Sequence, residues 1–230
     1  MKKNLLFALS FLLLSSIYQQ SFAQLTVVDG PDIADVLQEL LGDGVTISNI
    51  TINCRRSAYG SYVSTDPALA LTSGLLITTG SAEDAVGPNN SGSTGTNNNT
   101  PGDADLTALA GLNTFDACIV EFDVVPIGDE IWFNYTFGSE EYPEFTPCAG
   151  QNINDAFAFY VDGPDPAGGT YANENIAIIP STTLPVSINN VNQCTNSTYY
   201  QGNNSSTLEY DGYTVDLVAK VEVVPCQKSS

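Results

Sequence analysis

The chain has 230 residues, with 26 acidic and 6 basic side chains and no histidine, for a net charge of −20. A field of that sign repels phosphate backbones and excludes nucleic acid as a partner. Without histidine there is no His-based nucleophile system and no His-ligated zinc or iron, which leaves paired carboxylates or a hard, oxygen-ligated cation.

Residues 1–23 open with Lys2 and Lys3, continue with the apolar run Leu5–Leu14 and end Ser21-Phe22-Ala23. A charged start, a short apolar core and small residues before the cut predict a secretory signal peptide cleaved after Ala23. The core is shorter than the ~20 residues that span a bilayer. Residues 24–230 are then one exported domain, of a length common for all-β folds.

Between Asp32 and Leu41, the apolar residues Ile33, Val36, Leu37, Leu40 and Leu41 share one helical face. Pro31 precedes and Gly42 follows, so this stretch is expected to be the one short helix, closing an end of the core. Thereafter the pattern is β. Strands are expected at Val45–Asn53, Gly74–Gly80, Cys118–Val125, Ile131–Phe137, Asp155–Val161, Asn175–Ile179, Pro185–Asn189 and Tyr213–Val224. Short strands separated by Gly, Pro and Asn turns predict an all-β fold, a two-sheet β-sandwich or jelly roll. Gly87–Gly102, almost wholly Gly, Pro, Asn, Ser and Thr, is expected to be a solvent-exposed loop.

Three constellations carry possible chemistry. Asp103 and Asp105, after Gly102, present oxygens to one cation or cap a short helical turn at Leu106–Leu109. Glu140, Glu141 and Glu144, with Asn154 and Asp155, concentrate hard ligands in a loop stiffened by Pro143, Phe145 and Pro147. Calcium, which takes carboxylate and amide oxygens, is the expected cofactor there, with a polar ligand pocket or a plain solvated acidic loop as the other possibilities. Glu121 and Asp123 share a strand face, as in some glycosidases, but the next alternating position is Val125 rather than a third carboxylate. Tyr199, Tyr200, Asn203 and Asn204 suit sugar stacking and hydrogen bonding, although ordinary strand-edge aromatics and polar loops are the better account of them.

The five cysteines have no metal-knuckle spacing, and in an exported chain they read as disulfides. Cys148 with Cys194 is the first expected pair and Cys118 with Cys226 the second, leaving Cys54 over.

Several segments together resemble the choice-of-anchor L domain, a bacterial surface-protein module seen especially in Bacteroidota. They are Gly74–Ala82, Gly87–Ser91, Gly102–Leu106, Glu121-Phe122-Asp123, Phe133–Phe145, Asn154–Phe159, Gly163-Pro164, Asn175–Pro180 and Pro185–Asn192. The resemblance implies an extracellular β-sandwich without catalytic residues, held at the cell surface or secreted. Its partner would be an extracellular polymer, glycan or surface protein. It also implies further strands beyond Cys226, so a truncated sheet with an open edge, prone to self-association, is expected. The function expected is a non-catalytic binding or adhesion module, stabilised by calcium. The alternatives are a lectin-like domain or carbohydrate-active enzyme, and a structural spacer.

Overall fold

The computed structural model describes residues 24–230, so the expected signal peptide lies outside the described residues. The fold is all-β and sandwich-like. Twelve strands fall in chain order as β1 (Leu25–Asp29), β2 (Val45–Asn53), β3 (Tyr59–Ser64), β4 (Ser73–Ile77), β5 (Ile119–Pro126), β6 (Glu130–Tyr135), β7 (Gly138–Ser139), β8 (Tyr160–Pro164), β9 (Thr170–Asn175), β10 (Tyr200–Gly202), β11 (Gly212–Thr214) and β12 (Leu217–Glu222). They pair as five small antiparallel sheets: β1-β3-β4, β10-β11-β7, β12-β6, β2-β5 and β8-β9.

The expected helix is present as α1 (Ile33–Leu41). Asp32 caps it by accepting the Ala34 N–H, Gly42 ends it at φ 66°, and Leu37 is its buried contact. A second helix, α2 (Ala104–Ala110), stands where only a turn was expected. Asp103 accepts from the N–H groups of both Asp105 and Leu106, and Gly111 closes the other end in the left-handed conformation. Two good caps carry a seven-residue helix whose apolar pattern alone is too short to announce it.

Strand period explains the best-read elements. In β12, Leu217, Ala219 and Val221 are buried while Val218, Lys220 and Glu222 face out. Val221 and Val223 join Val124, Ile131 and Val161 in one apolar cluster, with Phe122 and Phe133 packed against it. Ile179, Val186, Val191 and Leu217 form a second cluster, and Leu25, Leu208 and Tyr213 a third.

Other expectations are displaced. Asp155–Phe159 and Asn175–Ile179 are mostly irregular, and the strands here are β8 and β9, a hairpin shifted towards Gly163. Side chains in those irregular stretches still pack, as Phe157 does on Tyr135 and Phe159 on Phe133. The aromatic run therefore reflects burial rather than ladder pairing. The run from Tyr213 is broken between β11 and β12 by Val215 and Asp216.

The first expected disulfide, Cys148–Cys194, is formed. The second is a correction: Cys118 bonds Cys54, and Cys226 is the free, exposed thiol. Register is the reason. β2 and β5 align Asn53 with Ile119, so the next residues outward, Cys54 and Cys118, face each other with Cα atoms 4.7 Å apart.

Candidate functional site

The site grows from one buried tyrosine. Tyr142 is fully buried, donates its hydroxyl to the Val191 carbonyl at 2.6 Å, and packs against Phe137 and Tyr200. Downstream, buried Thr146 bonds the Pro143 carbonyl, Gln193 bonds both, and the Cys148–Cys194 bridge ties the loop to its neighbour. Upstream, β7 pairs with β11, and Ser139 accepts the Glu141 N–H while donating to Asp155 at 2.7 Å. The loop from Gly138 to Thr146 is thus held at both ends, and Glu140 and Glu141 have little freedom.

Glu140 is the exceptional side chain. Both of its carboxylate oxygens are shut off from solvent, and neither accepts a hydrogen bond. The Thr94 backbone N–H is near enough to favour the ionised form, but it makes no bond of ordinary geometry. Asp211, close by, has its Oδ2 buried and unpartnered, while its Oδ1 accepts from Asn89 at 2.6 Å. Glu209 is buried and accepts from the Thr94 hydroxyl. Glu141 and Asp155 complete the ring of negative charge. Glu209 and Asp211 lie two apart in the bend that leads into β11, and the charges of both bear on Glu140.

The electrostatics follow. Burial, then the charges of Asp211, Glu209 and Glu141, push the Glu140 carboxyl up to about 7. Glu141 is raised by burial and by Asp155 and Asp211, and Asp211 by burial and by Glu144 and Glu209. Burial raises Asp155 against the lowering effect of the Ser139 hydroxyl, although solvent reaches the side chain and weakens that effect. Neither salt bridge among the described residues touches this cluster, since Lys220 pairs with Glu130 and Lys228 with Asp123.

The low-complexity loop is part of the site, which corrects the expectation of a purely solvent-exposed segment. Asn89 and Thr94 reach into the acidic cluster, and Asn98 is buried against the carbonyls of Thr79 and Gly80. Polar side chains pack down here because each finds a partner.

The expected site residues separate. Glu140, Glu141 and Asp155 come together. Asn154 points elsewhere, donating to the Ala110 carbonyl and accepting from the Asn189 N–H. Asp103 caps α2, and Asp103 and Asp105 lie beside Tyr160. Among the described residues no three Asp, Glu or Cys side chains converge closely enough to ligate one ion by themselves. Asn203 holds its own turn through Leu208 and Ser205, and Asn204 accepts from the Tyr213 hydroxyl. Tyr200 stacks on Tyr142, and Tyr199 packs on the second apolar cluster. Glu121 pairs with Thr51 and Asp123 with Lys228 and Asn49. Asp211, Glu209, Asn89 and Thr94 were not foreseen. The alternation Glu209-Tyr210-Asp211 was the one available signal.

Compared with known families, residues 26–229 match the Choice-of-anchor L domain. The chain belongs to that family. A choice-of-anchor domain is a surface-associated, non-enzymatic module, so the protein is a cell-surface or secreted one. None of the described helices is long and apolar enough to cross a membrane. No curated protein and no solved structure matches the chain.

Proposed function

We propose that this choice-of-anchor L domain is an extracellular binding or adhesion module, exported by cleavage after Ala23, and that a divalent cation at Glu140 and Asp211 stabilises it. The observation that carries the cation reading is the three buried oxygens without a hydrogen-bond donor, two on Glu140 and one on Asp211. A buried carboxylate without a donor is costly unless a cation or a proton neutralises it. Calcium suits the donor set best, since it accepts carboxylate, amide and backbone carbonyl oxygens in flexible geometry. Its target would be an extracellular polymer, glycan or surface protein.

Thermal unfolding of the purified protein with calcium and with a chelator tests this. Saturation at 100 times the dissociation constant raises stability by ~2.7 kcal/mol. The rise should vanish in Glu140→Gln and Asp211→Asn. A melting temperature unmoved by calcium sinks the cation reading, and protons then neutralise the cluster.

A further inference from the structure

One carboxylate on β5 holds a lysine and an amide at the same atom. Asp123 Oδ2 lies 2.7 Å from the Lys228 ammonium and also accepts from the Asn49 side-chain amide. The two donors come from opposite sides of β5. Asn49 belongs to β2, and Lys228 precedes Ser229, whose backbone exchanges both hydrogen bonds with Val124. Phe122 and Val124 turn to the first apolar cluster, so Asp123, between them, faces outward. It is buried all the same.

The amide reaches this oxygen through a bulge. Ser48 pairs with Asp123 and Thr51 with Glu121, so β2 spends one residue more than β5 on the same step. Strict alternation would point Ser48 outward and Asn49 inward. Both are instead exposed, and Asn49 takes a φ of 52°, a region that asparagine tolerates better than most residues. The bulge thus delivers a carboxamide to the outer face beside Asp123. Glu121, the next outward carboxylate, is engaged by the Thr51 hydroxyl at 3.1 Å.

We propose that Lys228, Asp123 and Asn49 form a self-crosslinking site, at which the chain joins the Lys228 Nζ to the Asn49 Cγ as an amide and releases ammonium. The step balances within three side chains. Asp123 takes one proton from the Lys228 ammonium and frees the Nζ lone pair. Nζ attacks the Asn49 Cγ, and the bond from Cγ to Nδ2 breaks. The leaving nitrogen departs with its own two hydrogens and two from the lysine, while the third lysine hydrogen stays on the new amide. Asp123 is a carboxylate again at the end, nothing is oxidised or reduced, and no co-reactant is consumed. A single oxygen touches both the proton source and the leaving nitrogen, which is the placement a relay needs. Hydrogen bonds from Lys228 and then Asn49 hold the Asp123 carboxyl below the ordinary range, so the opening proton transfer is uphill and the reaction slow. The product ties the segment at Ser229 to β2 across β5. The site stands apart from the acidic cluster at Glu140 and needs no cation.

The test is peptide mapping of the purified protein after several days in mildly alkaline buffer, where more of any lysine is neutral. After reduction and trypsin, the product is the peptide ending at Arg55 joined to Val221–Ser230, lighter by one ammonia than the two together. The joined pair is the readout rather than intact mass, since asparagine and glutamine lose ammonia by other routes. It should appear in the folded wild type, while trypsin still cuts after Lys220, the partner of Glu130. Lys228→Arg keeps the ion pair and should give no joined pair. Asn49→Gly keeps the positive φ and should give none either. Asp123→Ala should slow formation about a hundredfold. Three outcomes overturn the proposal: no joined pair in the folded wild type, formation as fast in Asp123→Ala, or equal formation in denaturant.

Discussion

Asp66 and Glu140 are both carboxylates removed from water, and they meet opposite fates. Burial pushes Asp66 upward, but the Ala68 N–H and the hydroxyls of Ser205 and Thr207 outweigh it and hold the group below the ordinary range. Asp116 is treated likewise by the Thr100 N–H and hydroxyl and the Asn98 N–H. Glu140 receives burial and like charges without a proper donor. The contrast separates a structural carboxylate, finished by its own fold, from one that needs something added. Acidic composition alone does not distinguish the two, and donor count does.

The largest effect should come from the finished side. Asp66→Ala strands three donors in a buried setting, and denaturant unfolding should show a loss of about 3 kcal/mol, with or without calcium. A loss that calcium reverses would blur the comparison.

The pH dependence should run in opposite directions for the two. Glu140 keeps its proton in the folded state up to about pH 7 and loses it in the unfolded chain above ~4.3. The folded state therefore binds the extra proton between those values, and stability in chelator should fall as pH rises through that window, by about 2 kcal/mol once solvent screening has cut the ~3.5 kcal/mol that the full shift carries. Glu140→Gln should abolish the slope and be the more stable protein at pH 8 without calcium. For Asp66 and Asp116, held low, the stabilisation is present above ~3.9 and fades as pH falls below it. Melting curves from pH 3 to pH 8 read both limbs. A flat Glu140 limb in chelator would remove the distinction.

How much of this was legible in the sequence depends on whether the signal was local. α1 announced itself through Pro31, Asp32, Gly42 and an apolar face, and β2 and β12 through their alternation. The loop with Glu140 and Glu141 stood out by composition. The other half of the site did not, because Asp211 and Glu209 reach Glu140 only through the pairing of β7 with β11. The Cys54–Cys118 bond was hidden for the same reason, as it follows from the register of β2 on β5 across 64 positions. Asn89 and Thr94 were masked by the low complexity around them, where composition predicts solvent and gives no hint of a partner.

Thr94 offers the smallest and most discriminating change. Its hydroxyl is a donor to Glu209, a buried carboxylate next to Glu140 and Asp211. Thr94→Val keeps the shape and removes that donor, moving Glu209 from the Asp66 condition towards the Glu140 condition. The cost in chelator should be about 1.5 kcal/mol, the lower end for one hydrogen bond to a charged acceptor. Calcium should recover part of it, because a cation can satisfy the oxygen that the hydroxyl left. Equal losses in calcium and chelator would mean that Glu209 belongs with Asp66, and that the cation's reach stops at Glu140 and Asp211.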